Sequence, residues 1–195
     1  LIEEQKLSTE TMLSAFFPAI PNASQITMDQ LLGHRSGIHS ITDDSLYLTY
    51  NTKFQSKERI LDLISSGKPD FQPGEKTAYS NSNFILLGYI IEQLTEKTYA
   101  ENLALRITKP LGLTRTAVGK PASQLLGGCY SYHAGPDGWE VSSETDMSIP
   151  GGAGAIVSTP SELNLFIQAL FNGKLLRPAS MEIMTTLHDH FGYGI

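Results

Sequence analysis

The sequence reads Tyr79-Ser80-Asn81-Ser82-Asn83-Phe84-Ile85-Leu86-Leu87-Gly88-Tyr89-Ile90-Ile91-Glu92 shortly after a Pro73-Gly74 turn. This stretch opens the longest run of periodically spaced apolar residues in the chain. Pro and Gly at adjacent positions are typical of a type I or II turn, so we expect a loop-to-helix junction here. One set of apolar side chains within the run recurs at helical spacing: Phe84, Leu87, Ile91 and Leu94. Other apolar residues fill the remaining positions. A helix that is apolar nearly all round is typically buried, so this stretch predicts a buried helix around which the rest of the chain is arranged.

A phenol, a hydroxyl and an amide stand at the start of this predicted helix. Local physics favours an interpretation in which Ser80 or Asn81 is the N-cap and Tyr79 packs in the core. The alternative is a functional site. A tyrosine hydroxyl has a reference pKa of about 10, so it is a poor base unless a nearby lysine lowers that value and lets it relay a proton to and from a serine. The tripeptide alone leaves both interpretations open.

Composition and charge restrict the classes to which such a site could belong. The chain has 195 residues, of which 41% are hydrophobic and 17% charged, as in an ordinary globular protein with a core. A net charge of -6 without a basic run argues against nucleic-acid binding, because phosphate contacts need clustered Lys and Arg. The single cysteine, Cys129, cannot form an internal disulfide, and we expect it to be a small buried residue. The sequence shows neither an apolar run of the ~20 residues that a membrane helix needs nor a signal-peptide pattern.

Helices are predicted over much of the chain. Thr27 is the natural N-cap of a short helix that stops at 34–37, where Gly37 is expected in the left-handed cap position and His34 is expected to bond local carbonyls. A His close to a Ser also suggests a base and a nucleophile, but no acid that would orient the His is evident. Further helices are expected over 43–51, 56–65 and 99–107, and another with Thr159 as N-cap and Pro160 at its first position.

Strands are predicted mainly in the second half of the chain. Residues 127–133 alternate like a strand, 135–138 form a turn, and 139–141 are the expected partner strand. The fold class is therefore α+β with a minority of strand. Its expected organisation is one domain in which 1–126 are mainly helical, 127–158 contain strands, and 159–195 form helices followed by the start of a strand.

Four stretches occur in a distinctive order along the chain, and a fifth follows them. The four are Leu31-Leu32-Gly33-His34-Arg35-Ser36-Gly37-Ile38, then Phe71-Gln72-Pro73-Gly74, then 79–92, then Ile107-Thr108-Lys109-Pro110-Leu111-Gly112-Leu113-Thr114-Arg115-Thr116. The Gly-rich segment 151–163 comes next. In this order they closely resemble the serine β-lactamase-like family, which contains class C β-lactamases, penicillin-binding D-alanyl-D-alanine carboxypeptidases and related esterases. The resemblance runs over the whole of 1–195 and implies the helix-rich region of the β-lactamase/transpeptidase-like fold, with part of its antiparallel sheet absent from this chain.

The resemblance implies a hydrolase with an active-site serine that forms an acyl-enzyme. By position, Tyr79 would be the proton shuttle of a Tyr-x-Asn motif, and Asn81 would hold the substrate amide and a lysine, while Ser80 faces elsewhere. The resemblance implies no metal and no cofactor. It implies a small-molecule or peptide substrate, either a β-lactam, a D-Ala-D-Ala peptide or an ester, and a bacterial periplasmic or extracellular location.

Two motifs of the family are not found in these residues. Ser-x-x-Lys would lie before Leu1, because 1–7 read as the last turns of a helix, and a Lys-Thr-Gly-like strand would follow Ile195. The chain is therefore expected to be a fragment. The letters of Ser65-Ser66-Gly67-Lys68 fit the first motif, but Gly67 and Pro69 break the backbone before Lys68 could reach back, so we expect scaffold there. His188-Asp189-His190 carries metal-ligating groups but lacks a third ligand nearby, so an exposed loop is expected.

Two functions remain open. In the first, the protein is a serine hydrolase and this chain supplies its Tyr-x-Asn motif. In the second, the chain is a catalytically inactive fragment or a degenerate binding module of the same fold, since neither the serine nor its lysine is found. The choice among β-lactam, peptide and ester is not determined by these motifs.

Overall fold

The computed structural model describes residues 1–119, 128–189 and 191–194. Its helices are α1 (Met28–Leu32), α2 (Tyr47–Tyr50), α3 (Lys57–Ser66), α4 (Asn81–Thr95), α5 (Tyr99–Leu103), α6 (Lys109–Leu111), α7 (Pro160–Phe171) and α8 (Pro178–Thr185). A π-helical turn, Ala104–Thr108, joins α5 to α6. Short 3-10 turns form at Leu13–Ala15, Ile41–Asp43 and Gly151–Ala153. The strands are β1 (Ala117–Val118), β2 (Tyr132–Gly135), β3 (Gly138–Val141) and β4 (Ile156–Val157).

The strands form two small antiparallel sheets in the described part of the chain. Strands β1 and β4 pair through Ala117 with Val157, and β2 and β3 form a hairpin that runs from the Tyr132–Val141 pair to the turn. With helices as the majority, the α+β class is confirmed. The predicted hairpin is present, but its first strand begins at Tyr132 rather than at 127, and Gly127 lies outside the described residues.

The hairpin projects away from the core. Trp139 is 77% exposed, and Cys129, just before the hairpin, is also exposed. The expectation that Cys129 is buried is therefore wrong. The expectation rested on the tendency of free cysteine to be buried, but a two-stranded ribbon has no second layer to cover its side chains.

Helix starts follow the sequence closely. Thr27 caps α1 through a capping box with Gln30. Thr159 caps α7 by accepting the Glu162 N–H, and Pro160 is the first residue of α7, as predicted. Residues 1–7, however, form hydrogen-bonded turns rather than the last turns of a helix.

Helix α4 is at the centre of the main core. Its fully buried apolar side chains are Ile85, Leu86 and Ile90, and they belong to one cluster with residues of the N-terminal segment, α1, the Ile41 turn and α3: Leu13, Ile26, Met28, Leu31, Ile41, Ile60 and Ile64. The predicted stripe of Phe84, Leu87, Ile91 and Leu94 is only half-buried. The prediction of a buried helix is therefore right, but the stripe singled out in the sequence is not the most buried face.

Helix α4 and the Gly151–Ala153 turn pack backbone against backbone. A Cβ built at Gly152 would collide with the Phe84 carbonyl oxygen and would lie 3.1 Å from Gly88 Cα. A Cβ at Gly88 would lie 3.0 Å from Gly152 N. Both positions therefore need glycine for close approach, and this contact fixes the depth at which α4 sits.

A large apolar cavity of about 480 Å³ lies along α4. Its lining includes Phe84, Leu87 and Ile91 of α4, together with Ile107, Leu176 and Met184. These three residues of the half-buried stripe thus form part of the cavity wall, whereas Leu94 packs against the main core. Among the described residues, none of the helices combines the length and the apolarity that a membrane crossing requires.

Candidate active site

The two predicted site residues lie side by side where the chain enters α4. The Tyr79 hydroxyl donates a hydrogen bond to Asn81 Oδ1 over 3.2 Å. The Tyr79 side chain is 58% exposed, so its phenol is accessible to a ligand. The Tyr-x-Asn spacing therefore places a phenol and an amide in direct contact at the protein surface.

The local interpretation of this junction is correct for one position only. Ser80 is the N-cap residue of α4, with extended backbone angles of φ −143° and ψ 119°. Its side chain does not cap the helix, and within the described part of the chain its buried Oγ has no hydrogen-bond partner. Tyr79 is exposed instead of packed in the core. Helix capping and core packing therefore do not explain why polar residues occupy these three positions. Contacts with segments that are distant in the sequence hold this junction in place.

Asn81 is oriented by a loop far away in sequence. Its backbone N–H donates to Ser40 Oγ at 3.3 Å, and its Nδ2 donates to Thr42 Oγ1 at 2.9 Å. Since Nδ2 is directed at Thr42, Oδ1 is directed at Tyr79. A carbonyl oxygen has two lone pairs and an amide nitrogen has two hydrogens, so Asn81 can still accept one bond and donate another.

A buried hydroxyl fastens the same loop to the first turn of α4. Ser82 is fully buried, and its Oγ accepts the Ile41 N–H at 3.1 Å and donates to the His39 carbonyl at 2.7 Å. Sequence analysis missed Ser40, Thr42 and Ser82. The partners are 39 to 43 residues apart along the chain, and no local pattern reports such contacts.

The segment after α1 differs from its prediction. Helix α1 ends at Leu32 with Gly33 as its C-cap, and His34 itself adopts a left-handed conformation with φ +54°. Gly37 is also left-handed, with φ +75°, but it lies beyond the helix end. The backbone of His34 does form part of the helix end, because its N–H donates to the Leu31 carbonyl at 3.4 Å. Its side chain has a distant partner instead of a local carbonyl: Nδ1 accepts the backbone N–H of Ser80 at 3.1 Å.

Two other groups considered from the sequence have structural partners. Ser65 and Ser66 lie in the last turn of α3, and both hydroxyls donate to the Asp62 carbonyl, as expected of scaffold. Asp189 accepts a hydrogen bond from Thr77 Oγ1, and His190 lies outside the described residues. Of the side chains that the structure describes, no three His, Cys, Asp or Glu are grouped so as to hold a metal ion.

Sequence analysis also missed Glu162, which is 9% exposed at the start of α7. Its carboxylate accepts the backbone N–H groups of Thr114 and Arg115 and the Thr116 hydroxyl. The bond from Thr116, followed by those from the two N–H groups, lowers the pKa of Glu162. Glu162 thereby fastens the segment before β1 to α7. An acidic residue in the first turn of a helix does not by itself indicate such a role.

The chain is similar to several bacterial proteins. It is 30% identical to a protein of Bacillus subtilis (strain 168) named as a penicillin-binding protein, PbpX, over 100% of this chain and 48% of that protein. It is 26% identical to the teichoic acid D-alanine hydrolase of Staphylococcus aureus, over 100% of this chain and 49% of that enzyme. The chain thus spans about half the length of these curated relatives.

A solved structure and the sequence model of a protein family also match this chain. The crystal structure of a D-stereospecific amidohydrolase from Streptomyces sp. superimposes with a TM-score of 0.87 and 28% identity, over 100% of this chain and 64% of that one. The sequence model of the Beta-lactamase family matches residues 1–194. The chain with its exposed Tyr79–Asn81 pair therefore belongs to the β-lactamase family.

Proposed function

We propose that the protein is a serine hydrolase that acts through an acyl-enzyme, and that Tyr79 and Asn81 are the part of its active site that this chain supplies. The observation that supports the proposal is the 3.2 Å contact between the accessible Tyr79 phenol and the Asn81 amide, held from behind by Ser40 and Thr42. A surface tyrosine in a purely structural role does not need this degree of orientation.

Tyr79 has the proposed role of proton relay between the nucleophilic serine and the leaving group. As a phenolate it would take the serine proton, and as a phenol it would return a proton to the departing amine or alcohol. The relay requires a cation that stabilises the phenolate. In residues 1–119, 128–189 and 191–194, no hydrogen bond or ion pair joins a lysine to Tyr79 or Asn81, so the proposal requires a lysine from a Ser-x-x-Lys motif elsewhere in the protein.

Asn81 has the proposed role of binding the substrate and orienting the relay. Its free N–H would donate to the carbonyl of the acyl group, and the second lone pair of Oδ1 would accept a bond from the lysine or from a substrate N–H. This arrangement suits a substrate with an amide next to the scissile bond. β-Lactams and D-alanyl peptides both have one.

For the substrate class, we propose amides or esters of D-amino acids, with β-lactams as their structural analogues. The similar proteins support this, since one is named as a D-alanine hydrolase, one as a D-stereospecific amidohydrolase and one as a penicillin-binding protein. Two of these names specify a D-configured substrate, and the third specifies a β-lactam. D-Configured substrates occur in bacterial cell walls, so we also propose a bacterial extracytoplasmic location.

The test is covalent labelling of the full-length protein. A fluorescent penicillin or an activated phosphonate should add its mass to the protein, as detected by intact mass spectrometry. Tyr79→Phe should slow labelling by about 100-fold, within the range typical of general acid–base catalysis. Tyr132→Phe, which alters an exposed tyrosine of the hairpin, is the matched control and should label at the wild-type rate.

Failure to form any adduct would refute the proposed function. Reversible binding of the same compounds without an adduct would instead support the second function derived from the sequence, a catalytically inactive binding module of the same fold.

A further inference from the structure

The ring of His34 packs directly beneath the proposed relay residue. His34 is 4% exposed, and the centroids of the His34 and Tyr79 rings are 4.5 Å apart with planes tilted by 32°. Phe84 and Phe191 enclose the imidazole at centroid distances of 5.1 Å and 5.8 Å. The exposed Tyr79 ring therefore rests on a buried aromatic base.

The same residue binds the backbone on both sides of Tyr79. The His34 carbonyl accepts the Ala78 N–H at 2.9 Å, and His34 Nδ1 accepts the Ser80 N–H at 3.1 Å. The left-handed conformation of His34, φ +54°, lets its carbonyl and its ring reach the same segment. Three contacts from one residue thus fix residues 78 to 80.

The hydrogen bonds also define the protonation state of the ring. Asn83 Nδ2 lies 3.5 Å from His34 Nδ1, and the Asn83 amide is oriented because Ser36 Oγ donates to Asn83 Oδ1 at 2.6 Å. Two donors, the Ser80 N–H and the Asn83 NH₂, therefore point at Nδ1. This nitrogen must be unprotonated, and the ring proton of the neutral form is on Nε2.

We propose that neutral His34 is a positioning residue for Tyr79, which it holds in place by stacking against the phenol ring and by accepting the Ser80 N–H at Nδ1. The proposal rests on the proposed function of Tyr79 as proton relay. His34 does not touch the substrate. It fixes the ring that does, and a second proton, on Nδ1, would replace the acceptor by a donor and break the bond to Ser80.

The surroundings of His34 favour its neutral form. Burial lowers the pKa of His34, and no charge among the described residues contributes to that shift. The segments packed against the ring carry six ionisable residues: Arg35, Lys76, Tyr79, His188, Asp189 and Tyr193. Arg35 donates to the Gly74 carbonyl, and Asp189 accepts from Thr77. The link between His34 and Ser80 is therefore intact at neutral pH.

The first experiment follows protonation of His34 by NMR in the full-length protein. At neutral pH, long-range ¹H–¹⁵N spectra should show His34 Nδ1 as an unprotonated nitrogen. On acidification, the Ser80 amide and the Tyr79 ring resonances should shift with the same midpoint as His34, and that midpoint should lie below the ordinary value of about 6.5. The proposal is overturned if the Tyr79 and Ser80 resonances do not follow the titration of His34.

The second experiment separates the acceptor from the aromatic ring. His34→Asn keeps an acceptor oxygen near the position of Nδ1, and Asn tolerates the left-handed backbone. His34→Phe keeps a ring but lacks the acceptor. With an activated phosphonate, His34→Phe should reduce the limiting rate of inactivation by about 100-fold with little change in the half-saturating concentration, since displaced catalytic groups can reduce rates by that factor. His34→Asn should stay within about tenfold of wild type, and the exposed His133→Asn is the control.

The outcomes distinguish the two proposals. If wild-type protein is not labelled at all, the proposed function fails, and the NMR titration still decides whether His34 positions Tyr79. If wild type is labelled and His34→Phe is labelled equally fast, the positioning role is refuted. If His34→Phe does not fold, the titration of wild type and the rate of His34→Asn decide.

Discussion

Gly152→Ala should move α4 and destabilise the fold, because Gly152 is the point at which the 151–153 turn touches that helix. The added Cβ would overlap the carbonyl oxygen of Phe84 and lie 3.1 Å from Gly88 Cα, and both obstacles are backbone. Backbone atoms cannot rotate away as a side chain can. Overpacking of this kind costs about 1–3 kcal/mol.

Part of this cost is offset in the unfolded state. Replacing Gly by Ala reduces the conformational entropy of the unfolded chain and stabilises the fold by about 0.4–1 kcal/mol where the native conformation allows it. With both ranges taken at their midpoints, the net loss at Gly152 is about 1.3 kcal/mol, which for a chain of this size lowers Tm by about 3–5 °C. Phe84 lies in the first turn of α4, close to Asn81, so the movement should also reach the Tyr79–Asn81 contact.

Urea unfolding followed by circular dichroism at 222 nm would measure the stability of this variant, and amide chemical shifts of α4 would report the movement. Gly67→Ala is the matched control, since Gly67 has φ −65° and ψ 140° and its new Cβ would meet Ile64 O at 3.3 Å and His39 Cβ at 3.7 Å. The same unfolded-state gain of about 0.4–1 kcal/mol applies to it, and its new Cβ meets no atom closer than 3.3 Å, so it should be no less stable than wild type. Wild-type stability of Gly152→Ala, with unchanged shifts in α4, would refute the close packing described above.

Three further predictions concern the core and the loop behind the site. Leu86→Ala should lower the free energy of unfolding by about 2–5 kcal/mol, because it empties a fully buried position of α4; a urea midpoint equal to that of wild type would contradict this. Ser82→Ala should cost about 1–3 kcal/mol, since it leaves the buried Ile41 N–H without its acceptor, and hydrogen exchange of that amide should accelerate. The hydrogen bond to Asp70 raises the pKa of His39, so its stabilisation, under about 1 kcal/mol for a partly exposed pair, is complete below pH ~6.5 and is lost as the pH rises through the raised pKa. His39→Asn should therefore differ from wild type in urea midpoint at pH 5.5 but not at pH 9, and a difference independent of pH would rule this out.

Local signals in the sequence predicted several helix starts well. The caps Thr27 and Thr159 depend on groups within one helical turn of each other, whereas α4 starts where predicted without a side-chain cap from Ser80. Such short-range chemistry is independent of the rest of the fold. The helix-rich α+β class followed from these elements and from the order of the family motifs.

The burial of particular side chains was less predictable. Helix α4 is apolar on all sides, so periodicity alone could not tell whether Leu86 or Leu87 faces the main core. Cys129 was expected to be buried because a free cysteine usually behaves as a small hydrophobic residue, but a two-stranded ribbon offers no second layer to bury it. Both questions depend on what lies opposite the element, and the element's own sequence does not contain that information.

The candidate site likewise combines features that the sequence revealed with contacts that it did not. The residue types of Tyr79 and Asn81 were evident from the sequence, and their catalytic role stays a prediction. The residues that orient them could not be found in advance, because His34 is 46 residues from its partner Ser80. The sequence predicted a helix end for His34, and the backbone of His34 does end α1 in a left-handed conformation. The bond from its side chain to the distant Ser80 N–H was not evident.

The exposed hairpin has a practical consequence for spectroscopy. The chain contains one tryptophan and one cysteine, and both are on or beside this ribbon, away from the α4 core. Native tryptophan emission should already resemble that of a solvated indole, so intrinsic fluorescence is a poor measure of global unfolding. The same arrangement makes the ribbon easy to probe. A quencher attached to Cys129 would change the fluorescence of Trp139 when the ribbon opens, and this chain contains no other tryptophan that would add to the signal.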